Sequence, residues 1–139
     1  MASEGTAGGM IDRIDHFVLK VRDIEASLRF YERALGLERE VFHDHGGVSR
    51  YALRFGRQKI NLHDDDTVAH PKARVPMPGA GDFCLIASVP LDEVIARLAR
   101  ERIAIEEGPV ARTGTLGPMR SIYFRDPDGN LVEVSEYAR

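Results

Sequence analysis

Apolar positions change period in the same order twice along this chain. Residues 14–21, Ile-Asp-His-Phe-Val-Leu-Lys-Val, are rich in β-branched and aromatic side chains and read as a strand. Ile24, Leu28, Tyr31 and Leu35 then recur at helical spacing, with Asp23 placed as N-cap and Gly36 as the stop. Strand patterning returns over 39–42, 50–55 and 59–63, and the last two runs are separated by a hairpin-length Gly56-Arg57-Gln58. A stretch of Pro, Gly and charge fills 64–81 before the order repeats. Residues 83–89 read as a strand, and Leu91, Val94, Ile95 and Leu98 form a helical stripe. Asp92 and Glu93 open that helix and Arg97, Arg100 and Arg102 close it, which complements its dipole. Residues 103–107 and 110–112 carry a short or broken strand. The strands 121–125 and 131–135 are joined by Asp126-Pro127-Asp128-Gly129-Asn130, strong turn chemistry. The pattern predicts an α+β fold of two βαβββ modules, about 11–64 and 80–137, within one domain over 11–137. Residues 1–10, rich in Gly, Ala and Ser, read as a disordered leader.

Alternation also sorts residues by face. Phe17, Leu19 and Val21 face the helix, so His16, Val18 and Lys20 face the concave side of a curled sheet. Ile60 and Leu62 place Asn61 and His63 on that side, and Val132 and Val134 do the same for Leu131, Glu133 and Ser135. His16, His63 and Glu133 thus interrupt otherwise apolar strands. Their imidazole and carboxylate groups suit a divalent first-row metal. The plainer alternative pairs Glu133 with Lys20, Lys59 or an arginine and leaves each histidine as an ordinary packed or surface residue. Tyr123, Arg54, Lys72, Arg112 and Arg120 are candidate substrate contacts, with packing or solvated charge as the alternative. The 64–81 loop and the Gly-rich 113–119 stretch are longer than connections require, so either is a candidate lid. His43, Asp44 and His45 precede Gly46-Gly47 and read as a surface loop.

The 139 residues fit one domain, and 43% hydrophobic with 29% charged residues is ordinary globular composition. A net charge of −3 excludes a general nucleic-acid-binding field. The single cysteine, Cys84, excludes an internal disulfide framework and a Cys-rich zinc site. No run approaches the length of a transmembrane helix, and the N-terminus lacks the regions of a secretory signal, so the expected location is the cytoplasm. Dinucleotide and P-loop glycine patterns and the GxSxG nucleophile motif are absent from the sequence.

Two segments carry a family resemblance. Residues 15–37, DHFVLKVRDIEASLRFYERALGL, and residues 123–137, YFRDPDGNLVEVSEY, resemble the vicinal oxygen chelate superfamily of glyoxalases, bleomycin-resistance proteins and extradiol dioxygenases. FGRQKINLH, PMPGAGDFCLI and EEGPVARTG resemble the small glyoxalase domain-containing protein 5 group within it. The resemblance implies paired βαβββ modules forming an incomplete barrel, with metal ligands on the first and fourth strand of each module. It makes His16 the first-strand ligand and Glu133 the last-strand ligand. Within KINLH, strict correspondence with Glu133 picks Asn61, whereas donor chemistry favours His63. On the first strand of the second module, aligning the two helices puts Phe83 opposite His16, and one step either side gives Asp82 or Cys84. Cys84 is otherwise a small hydrophobe.

The resulting expectation is a cytoplasmic homodimer that binds a divalent metal (Zn, Ni, Mn, Co or Fe). It would act as a lactoylglutathione lyase-like lyase, isomerase or transferase on a small oxygen-chelating substrate, with neither nucleic acid nor membrane as partner. Glu133 would be both ligand and general base. The alternatives are an extradiol-type dioxygenase and a metal-free drug- or metabolite-binding protein.

Overall fold

The computed structural model describes residues 9–138; the expected leader lies mostly outside them. The elements run in the order β1 (His16–Lys20), α1 (Ile24–Leu35), β2 (Glu38–His43), β3 (Ser49–Phe55), β4 (Gln58–His63), β5 (Asp82–Ile86), α2 (Leu91–Arg100), β6 (Glu107–Gly114), β7 (Gly117–Arg125) and β8 (Leu131–Tyr137). They form two four-stranded mixed sheets ordered β1-β4-β3-β2 and β5-β8-β7-β6. In each, the first strand runs parallel to the fourth, and the other pairs are antiparallel. The α+β class and the repeated βαβββ order are as the pattern predicts, and neither sheet closes into a barrel.

Helix α1 begins where Asp23 Oδ1 accepts a hydrogen bond from Ala26 N at 3.1 Å. It ends at Gly36, whose φ of 69° lets its N–H bond the Glu32 carbonyl and the following Leu37 N–H bond the Tyr31 carbonyl. The apolar face of each sheet packs toward the helices. Leu19, Ile60 and Leu62 from the first sheet and Ile122, Phe124, Val132 and Val134 from the second join Leu28, Tyr31, Leu91 and Leu98 in one buried cluster. Phe30 of α1 lies 6.1 Å from Phe124 of β7, and Phe17 meets Phe83 at 5.0 Å where β1 passes β5. The two sheets therefore share one core through their apolar faces.

Several boundaries differ from expectation. Residues 103–106 are not strand. Strand β6 instead runs through Gly108-Pro109, with a register shift between Glu107 and Val110. Residues 113–119 are no lid: Thr113 pairs with Pro118 and Gly114 with Gly117, closing a tight β6–β7 hairpin. The first strand of the second module stops at Ile86 rather than Val89. Among the described residues no helix is long and apolar enough to cross a membrane.

Candidate functional site

The strand registers place each candidate. In the first sheet His16 stands opposite Lys59, Val18 opposite Asn61 and Lys20 opposite His63. In the second, Asp82 stands opposite Leu131, Cys84 opposite Glu133 and Ile86 opposite Ser135. Matching the two sheets pair by pair makes Asn61 the counterpart of Glu133 and Asp82 the counterpart of His16. The equivalent first- and fourth-strand positions are thus His16, Asn61, Asp82 and Glu133.

His63 is not at an equivalent position. It lies four residues along the β1–β4 pair from the level of His16, which is about 13 Å at the rise of a strand. Two imidazoles so far apart on one flat face do not converge on one ion. His63 borders Lys20 and Arg50, and burial first, then these two cations, hold its imidazole below the usual range. His16 is exposed, and its Nδ1 sits 2.8 Å from Asp15 Oδ1.

Glu133 stands in a polar strip on the second sheet. Ser135 Oγ donates to Glu133 Oε2 at 3.2 Å, lies 2.6 Å from Ser121 Oγ and is 3.2 Å from Cys84 Sγ. Cys84 is exposed rather than a buried hydrophobe. Burial raises its thiol pKa, and the Glu133 charge adds to this against the lowering effect of Ser135. Tyr123 is paired directly across from Glu133. Arg112 Nε donates to the Tyr123 hydroxyl at 2.8 Å, which leaves the phenolic proton free for another acceptor. Desolvation keeps that phenol protonated at neutral pH by raising its pKa.

The other candidates separate. Arg54 and Lys59 both reach Glu40, at 2.7 and 3.3 Å, on the same face as Asn61. Arg120 bonds Asp92 at the start of α2, on the opposite face of β7 from Tyr123. Lys72 stands in the 64–81 loop beside His63. Asp44 caps the β2–β3 turn by accepting from Gly46 N and Val48 N, so the His43–His45 segment is a structural turn.

Among the described residues, no three His, Cys, Asp or Glu side chains lie close enough to hold a metal ion. His16, His63 and Glu133 are therefore not brought together within one chain. The reason is architectural. Both sheets turn their apolar faces to the shared core, so the faces bearing His16 and Asn61, and Asp82 and Glu133, look away from it. The outer faces leave Val18 49% and Ile86 53% exposed. One acceptor is conspicuous there: Asn61 Oδ1 is buried and has no hydrogen-bond partner. A buried acceptor without a donor is costly unless something else meets it. With an imidazole, an amide oxygen and two carboxylates, the four equivalent positions have the donor chemistry of a divalent first-row metal.

Comparison with known proteins identifies the family and the fold. A family model described as Glyoxalase/Bleomycin resistance protein/Dioxygenase superfamily matches residues 13–134. Virulence protein STM3117 of Salmonella typhimurium is 50% identical over 128 residues, covering 92% of this chain and 86% of that protein. Its crystal structure superposes with a TM-score of 0.84 at 49% identity, over 93% of this chain and 99% of that one. Glyoxalase domain-containing protein RDO1 of Mycosarcoma maydis is 44% identical over 124 residues, covering 89% of this chain and 68% of that protein. The crystal structure of lactoylglutathione lyase from Agrobacterium tumefaciens is 29% identical with a TM-score of 0.66, over 91% and 95% of the two chains.

Proposed function

This chain belongs to the glyoxalase/bleomycin resistance protein/dioxygenase superfamily, and from that premise we propose that it is a cytoplasmic, metal-dependent lyase, isomerase or transferase of the glyoxalase type. Its substrate is a small molecule with two neighbouring oxygens, and its site is closed by a second copy of the chain. The observation that carries this reading is the register equivalence of His16, Asn61, Asp82 and Glu133, together with the unpartnered Asn61 oxygen. His16 and Asn61 of one copy, with Glu133 and Asp82 of the other, would hold the ion. His63 is too far along the strand pair to join them. When bound, a divalent ion supplies Lewis acidity toward the two substrate oxygens.

The chain's own groups do the rest. Glu133 takes a proton from the substrate carbon and returns it, acting as general base and then acid. Ser135, by donating to one Glu133 oxygen, leaves the other free for that work. The Tyr123 hydroxyl, fixed by Arg112 on its oxygen, donates its proton toward Glu133 or a substrate oxygen on the same face. The apolar Ile86, covered by the second copy, excludes water from the enclosed face.

A thermal melt tests this without knowledge of the substrate. Added Zn, Ni, Mn, Co or Fe at about 100 times its Kd stabilises the native state by about 2.7 kcal/mol, a rise of roughly 10 °C over protein in EDTA. Glu133→Gln, which keeps the shape but loses the charge and the base, gives a smaller rise. A wild-type melt unmoved by all five metals contradicts the metal-dependent reading and leaves the metal-free binder.

A further inference from the structure

The 64–81 segment that joins the two sheets lies over the end of the β1–β4 pair and borders an open cleft of about 280 Å³. That volume is at the small end for ligand pockets, which run from about 300 to 1,000 Å³. Lys20 and His63, side by side in the strand register, line one wall, and Lys72 lines another. The Lys20 side chain is only 18% exposed. Its ammonium donates to the Asp64 carbonyl at 3.0 Å and lies 3.4 Å from the carboxylate of Asp65, which is 96% exposed. An ion pair with so solvated a partner holds weakly, so that ammonium is free to take a better anion. Neither the His63 ring nor the Lys72 ammonium has a hydrogen-bond partner among the described residues. Asp65 and Thr67 also line it, and the rest is largely apolar, including Val75 and Met77.

Two amines and an imidazole on the walls of a small cleft that also presents apolar side chains select an amphipathic anion. We propose that this cavity binds a small organic carboxylate, its oxygens held by Lys20, His63 and Lys72 and its hydrocarbon part resting on Val18, Val75 and Met77. A phosphate would engage the same donors but leave the apolar walls unfilled. A cation of the same shape would meet like charge.

The test uses full-length protein in EDTA, so that it is independent of any metal at His16 and Glu133. Phenylacetate is titrated by calorimetry at low salt, with inorganic phosphate and phenethylamine as competitors. Saturable binding of phenylacetate is expected. It weakens about tenfold or more in Lys20→Met and about fivefold in Lys72→Glu, a change on an exposed loop that leaves the core untouched. Phenethylamine does not compete, and phosphate competes with a Kd at least tenfold weaker than that of phenylacetate. Absence of saturable binding, an unchanged Kd in Lys72→Glu, or competition by phenethylamine overturns the proposal. Competition by phosphate as strong as by phenylacetate overturns the amphipathic part of it. Failure here leaves the metal-dependent reading standing, and failure of the metal melt leaves this one standing.

Discussion

Tyr31 ties two distant stretches of chain together inside the core. Its hydroxyl donates to Asp126 Oδ2 at 2.7 Å, and both residues are buried. Burial, with the Asp126 charge beside it, pushes the phenol far above its ordinary pKa, so it is always a donor here. Asp126 also accepts from the Asn130 and Asp128 backbone N–H groups and from Asn130 Nδ2. Tyr31 of α1 and the Asp-Pro-Asp-Gly-Asn turn are thus two halves of one bonded unit, which is why the segments that carry them mark the fold and say little about chemistry. Tyr31→Phe removes one donor from a buried carboxylate and lowers stability by about 1–3 kcal/mol in urea unfolding. A loss under about 0.5 kcal/mol contradicts the role given to this bond. Asp44 makes a pH prediction on the surface. The Val48 N–H first, then Arg50 and the Gly46 N–H, hold its carboxyl below 3.8 in the folded protein. Between the lowered value and 3.8 the unfolded chain binds more protons, so this contribution is complete above that window and is lost as pH falls through it. In Asp44→Asn the urea midpoint falls less steeply between about pH 5 and about pH 2 than in wild type. An identical acid slope contradicts the assignment.

At the scale of elements, the junction between the sheets is as tightly specified as the strands. Asn130 Oδ1 accepts from Gly81 N at 2.7 Å and so fixes where β5 begins. A Cβ at Gly81 would meet Leu19 Cδ1 at 2.7 Å and Asn130 Oδ1 at 2.8 Å. Gly81→Ala therefore costs about 1–3 kcal/mol through displacement of β5 against β1, read as a lowered urea midpoint; a neutral effect contradicts the close approach. Helix ends and strand faces were legible in the sequence, because Asp23, Gly36 and the alternation around Phe17, Ile60 and Val132 each have a local physical cause. Register was not legible in the same way. Asn61 and His63 share one face, so alternation cannot choose between them; only backbone pairing with Val18 and Lys20 does. The counterpart of His16 was obscured by a connection. Residues 21–23 join β1 to α1, whereas residues 87–90 join β5 to α2, one residue more. Aligning helix starts therefore points to Phe83, while the strand pairing points to Asp82. Strand β6 was hidden because Gly108-Pro109 reads as a break, yet the strand continues through it with shifted pairing.

For the whole molecule, the arrangement of the sheets makes one strong demand. Apolar faces that share a core leave the faces bearing His16, Asn61, Asp82 and Glu133 outward, and the proposed function brings these groups together across a partner. Light scattering is expected to give twice the 15.5 kDa mass of the chain. The central claim is sharper than a dimer, because it assigns His16 and Glu133 of one site to different copies. Metal content of a mixed dimer decides it. His16→Ala and Glu133→Ala dimers, prepared separately, should each lose most of the ion that wild type retains. A heterodimer of the two variants carries one wild-type pairing of His16 with Glu133 and one doubly damaged pairing. The account predicts that it regains one ion per dimer. A heterodimer as empty as either parent, beside a metal-loaded wild type, contradicts the shared site.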